Sequence, residues 1–111
     1  MVKNKQFEVF NDGTCSFHEI DDDGNAGSIK AAIRYQERTI GYKRFIESMT
    51  AKVQVDRLIR VPAQSWLTTE YLAVIGTEVF EIKQVQKISD ALPKANDVSL
   101  HLTRKRRVTD G

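Results

Sequence analysis

Apolar and polar residues alternate along most of this chain, with the period of half-buried β-strands. Phe7, Val9 and Phe10 precede Asn11-Asp12-Gly13, and Cys15, Phe17 and Ile20 follow it. Asn, Asp and Gly accept the left-handed backbone of a tight turn, so the pattern predicts an N-terminal hairpin. A polar, glycine-containing loop runs from Asp21 to Ser28, and residues 29–38 read as extended. From Lys52 to Val61 the alternation returns, with Val53, Val55, Ile59 and Val61 on one face. Arg57 falls on that same face, which predicts a bulge, a strand end or a paired charge there. Pro62 ends the run, because it has no N–H to give a ladder.

Residues 63–69 form a connection that holds Trp66. Two runs then flank Gly76-Thr77, namely Tyr71–Ile75 and Glu78–Ile82. Glycine in the first place of a two-residue loop predicts a hairpin with a type II′ turn. The second arm continues through Val85 to Ile88, and a turn follows at Leu92–Asp97. Val98, Leu100 and Leu102 alternate with Ser99, His101 and Thr103 in a last strand. Only residues 41–49 break the period of two: Tyr42, Phe45, Ile46 and Met49 fall at i, i+3, i+4 and i+7. That stripe predicts one short helix, with Lys43, Arg44, Glu47 and Ser48 opposite. The expected fold is therefore mainly β, a small antiparallel barrel or sandwich with one short α-helix at about 41–49.

At 111 residues the chain fits a single domain, with residues 104–111 as a basic, flexible tail. The 17 basic and 15 acidic residues leave a net charge of +2, which makes no case for nucleic acid by itself. Placement says more, since acid clusters at Asp21–Asp23 and base at Arg104–Arg107. The single cysteine, Cys15, excludes an intrachain disulfide and fits a reducing cytoplasm. The longest apolar run, Leu72–Ile75, is too short for a membrane-spanning helix, and the first five residues do not read as a secretion signal.

Asp21, Asp23 and Asn25 have the one-three-five spacing of a calcium loop, but Ala26 and Ala32 stand where glycine and the bidentate acid belong. A solvated turn is the plainer expectation. Cys15 and His18 are spaced like zinc ligands, but three residues along a strand puts them on opposite faces. No phosphate-binding glycine loop or nucleophile elbow occurs, so no catalytic site, metal or cofactor is expected. Arg104, Lys105, Arg106 and Arg107 are candidate contacts to phosphate or to a partner; the alternative is a strand end passing into a solvated tail. Tyr35, Tyr42, Trp66 and Tyr71 are aromatic enough to stack bases, but they are not interleaved with basic residues on one face.

The strand at 32–38, the segment Thr39-Ile40-Gly41-Tyr42-Lys43-Arg44-Phe45, the strand Val53–Val61 and the hairpin ending in Val79-Phe80-Glu81-Ile82 follow one another in an order that resembles tailed-phage head-completion proteins. These are also called head closure, stopper or head–tail joining proteins. Arg57–Val61, Phe80-Glu81-Ile82 and Leu100-His101-Leu102 carry most of the similarity. The resemblance implies a small β-barrel with a long excursion between two strands, assembled as a ring in the virion. It implies portal or adaptor ring and tail proteins as partners, with packaged DNA nearby, no membrane, and synthesis in a bacterial cytoplasm. Tyr42, Lys43, Arg44 and Glu47 are then candidates for lumen or inter-subunit contacts. The competing expectation is a small OB-like barrel that binds single-stranded nucleic acid. Arg104–Arg107 favours it, and Asp21–Asp23 and the low net charge oppose it.

Overall fold

The structure, a computed structural model, describes residues 6–38 and 55–105. The described residues hold eight strands and no helix. In chain order they are β1 (Gln6–Phe7), β2 (Gly13–Ile20), β3 (Ala26–Arg38), β4 (Arg57–Pro62), β5 (Tyr71–Ile75), β6 (Glu78–Ile88), β7 (Ala91–Leu92) and β8 (Ala95–Lys105). Six of them form one antiparallel sheet that closes on itself in the order β2-β3-β4-β8-β6-β5. β1 and β7 make a separate parallel pair. The helix expected at 41–49 lies outside the described residues.

Alternation supplies the interior. Cys15 and Phe17 of β2, Tyr35 of β3, Ile59 and Val61 of β4, Ala73 of β5, Phe80 and Ile82 of β6, and Val98 and Leu100 of β8 make one buried cluster. Each strand thus sends alternate residues inward, as a closed sheet requires. Loop residue Leu67 joins that cluster, and Trp66 beside it meets Phe17 and Tyr71 edge to face. Lys30 lays its ammonium 5.6 Å from the Trp66 ring. Trp66 therefore closes one end of the core, the role that the apolar body of a loop tryptophan predicts.

Several connections differ from the sequence expectation. No N-terminal hairpin forms. β2 pairs with β3 on one flank, and with β5 on the other over Ser16–Glu19. The chain before Gly13 instead runs over the sheet, and β1 pairs with β7. Gly13 stands where the chain enters β2, at φ 155°, and a Cβ there would lie 2.8 Å from the Tyr35 hydroxyl. The loop after β2 is shorter than expected. One oxygen of Asp21 accepts from the amides of Asp23 and Asn25, so the turn closes early and β3 begins at Ala26. The turn after Leu92 also ends early, because β8 begins at Ala95. At its far end β8 continues through Lys105, so the first two residues of the basic run pair with β6 as strand.

The hairpin at Gly76-Thr77 forms with Ile75 opposite Glu78. Gly76 has φ 64° and Thr77 is not left-handed, the pattern of a type II′ turn.

Burial pushes the Cys15 thiol up from 9.0 to about 12, against smaller opposing effects of a Val74 backbone hydrogen bond and the Arg57 charge. Between these values the unfolded chain has lost the thiol proton and the folded chain keeps it. Stability from this group is therefore full below pH 9 and falls as pH rises toward 12. Urea unfolding of the wild type should weaken by up to about 1.4 kcal/mol per pH unit across that window. Cys15→Ala should remove that part of the slope.

Candidate functional site

Strand direction sorts the features that the sequence singled out. The excursion 39–54 leaves from the end of β3 and returns at the start of β4. β8 lies on the other flank of β4 and runs antiparallel to it, so the basic run leaves from the same end of the sheet. Gly76-Thr77 turns there too, since Glu78 is opposite Lys105. The acidic turn Asp21–Asp23 is at the opposite end, between β2 and β3. The fold thus brings the roots of the two candidate patches together, separated by one strand. Tyr42, Lys43, Arg44 and Glu47 themselves, with Arg106 and Arg107, lie outside the described residues. Arg104 and Lys105 are placed in the backbone of β8, opposite Val79 and Glu78.

A collar of charge holds these roots. Arg57, the first residue of β4, donates from Nε and Nη2 to the Glu37 carboxylate on β3, at 3.0 to 3.1 Å. Nη2 also donates to the Tyr35 hydroxyl at 3.1 Å. The guanidinium sits 5.6 Å from the Tyr35 and Phe80 rings, and Glu78 is 4.0 Å away. The Glu37 hydrogen bond raises the Arg57 pKa further, against the effect of burial. The sequence flagged Arg57 as a charge on an apolar face, and it is both a strand end and a paired charge. On the outer side Asp56 ties the returning chain to β8. Its amide donates to Leu100 O at 2.8 Å, and its Oδ2 accepts from the Leu102 amide at 2.7 Å, with His101 Nδ1 at 2.9 Å. Asp12 accepts from the Glu37 amide at 2.7 Å, which adds the N-terminal segment to the collar.

A second ionic site had no sequence signal. Arg60 alternates with Ile59 and Val61, so period alone makes it a surface cation. In the structure it is 8% exposed. Nε and Nη2 donate to the two oxygens of Asp97, at 2.6 and 3.0 Å, and Nη1 donates to Glu8 at 3.1 Å. The Asp97 hydrogen bond is the main reason its pKa is raised. Gln36, Arg60, Asp97 and Gln86 are register partners across β3, β4, β8 and β6, a polar row on the outside of the sheet. The N-terminal segment lies on this row, with the Glu8 side chain 1% exposed. Glu8 sits between two apolar residues, so nothing local marks it.

The other nominated groups stay apart. Cys15 is fully buried, while His18 on the opposite face donates from Nδ1 to Gly27 O at 3.0 Å. No group of three metal-ligating side chains occurs among the described residues. Tyr35 belongs to the core, and Tyr71 packs on Trp66. A groove of about 520 Å³ runs beside the start of β5, between Ile20 and Lys83. Its Glu81 and Lys83 neutralise each other at 2.8 Å. The chain matches no known protein family and no curated protein.

The two arginines should respond differently to removal. Arg60→Met strands a buried Glu8 and a nearly buried Asp97, and should cost about 3 kcal/mol in urea unfolding. Arg57→Met leaves Glu37 in reach of water, and should cost about 1 kcal/mol.

Proposed function

We propose that this protein is a structural component of a tailed-phage head–tail connector. It closes the DNA-filled head below the portal and joins it to the tail. One observation carries the proposal: in a closed antiparallel sheet the end of β3 and the start of β4, between which residues 39–54 fall, lie at the same end as Arg104 and Lys105 of β8. A ring subunit of this kind needs a rigid body and a cluster of segments aimed one way, and strand direction in the sheet supplies that layout. The collar supports the same reading, because Arg57–Glu37 and Asp56–Leu102 fix where the excursion starts and where it returns. Contacts then come from Tyr42, Lys43, Arg44 and Glu47 on the excursion and from Arg104, Lys105, Arg106 and Arg107 on the tail. Neighbouring copies form a ring on assembly, against the portal or adaptor ring on one side and tail proteins on the other. Such a ring is heterologous and must close.

The alternative, a barrel that binds single-stranded nucleic acid, fits the described aromatics less well. Phe17 and Tyr35 are core residues, and Trp66 and Tyr71 pack edge to face on each other.

Light scattering of the purified protein with portal rings from the same particle is the decisive measurement. A complex with the portal, weakened by reversing Lys43 and Arg44 to glutamate, is the expected result. No complex with portal or tail components, together with tight DNA binding that falls steeply with salt, would transfer the assignment to the nucleic-acid barrel.

A further inference from the structure

We infer that the N-terminal segment Gln6–Asp12 is an exchangeable arm, and that the polar row around Arg60 is the receptor for the same arm of a second copy. The proposal stands apart from the connector reading and needs only that copies meet at high local concentration.

Directional polar contacts hold the arm. Glu8 meets Arg60, Val9 O accepts from Gln36 Nε2 at 3.0 Å, and Phe10 O accepts from Arg34 Nε at 3.2 Å. Its strand pairing is two residues long. Val9 is 55% exposed, and Leu92, which pairs with Phe7 in that short ladder, is 45% exposed. A buried ion pair is specific in geometry but contributes little net stability, because desolvation offsets the attraction. The arm therefore docks selectively and leaves cheaply. None of the receptor groups belongs to the arm: Gln36, Arg34, Arg60 and Asp97 all sit on strands of the closed sheet. Charge complementarity names the occupant, since the receptor presents a fixed guanidinium for one carboxylate on an extended segment. Every copy carries such a segment.

Docking in cis wins in dilute solution. A short connection gives the arm an effective concentration of about millimolar at its own receptor. Exchange becomes competitive when neighbours are held at comparable density. Exchange of a terminal element is also a low-cost way to link like subunits, and in a head-to-tail arrangement it links them around a ring.

Covalent trapping in trans tests this. One copy carries Val9→Cys and a second carries Gln36→Cys, and the two full-length chains are mixed at high concentration with a short thiol cross-linker. Cys15 is buried and takes no part. The double variant Val9→Cys/Gln36→Cys, which cross-links within one chain, is the control for geometry. The expected result is a covalent heterodimer that accumulates with time and falls several-fold when Glu8→Gln is added to the Val9→Cys chain. Intrachain cross-linking in the control with no heterodimer in the mixture overturns the proposal. So does a heterodimer yield unaffected by Glu8→Gln, or matched when Thr69→Cys replaces Gln36→Cys, because both mark random collision.

Discussion

Closure of the sheet depends on its shortest seam. β6 and β8 share ten register pairs, whereas β3 and β4 share three, Gln36 with Arg60, Glu37 with Ile59 and Arg38 with Leu58. Three pairs leave few ladder hydrogen bonds to hold two strands whose connection is eighteen residues long, 39–56. Side chains add to them. Arg57 crosses the seam to Glu37 at the end of the sheet, and on the outside the N-terminal segment bridges it, from Glu8 to Arg60 of β4 and from Val9 O to Gln36 of β3. Without the seam the six strands would be an open sheet with two bare edges, and the buried cluster would lose a wall.

The same seam explains the path of the N-terminal segment. β2 pairs with β3 and β5, and the segment before it lies on the outside of the sheet, with Glu8 on Arg60 and Val9 O on Gln36. The outside carries the polar row, and a polar row attracts a strap with polar contacts. Glu8 therefore becomes buried among charges, a placement that favours specific geometry over net stability. The collar and the strap meet at Glu37, whose carboxylate holds Arg57 and whose amide is held by Asp12. Seam, strap and excursion roots thus share one set of residues.

For a protein proposed to work by assembly, this division of labour is apt. The core provides a rigid body of alternating aliphatic and aromatic residues. The segments proposed to touch partners leave from one end, and the acidic turn is at the other. Such polarity suits head-to-tail association, in which the two ends of a subunit meet different surfaces.

Alternation and turn chemistry by themselves determined the β class, the inward Ile59 and Val61 of β4 and Val98 and Leu100 of β8, and the type II′ hairpin at Gly76. Alternation also singled out Arg57 as a charge that needed a partner. These properties are local, because a period of two and a glycine in a turn act within a few residues. Tertiary structure alone decided the parallel pairing of β1 with β7, the early start of β8, and the fate of Arg60. An N-terminal hairpin was a sound local expectation, and the segment instead pairs with β7 and lies on the outer face. Arg60 read as an ordinary surface cation, because the residues that cover it lie fifty-two positions before it and thirty-seven after it. Pairing edges and burial on the outer face depend on which strands become neighbours, and sequence period carries no information about that.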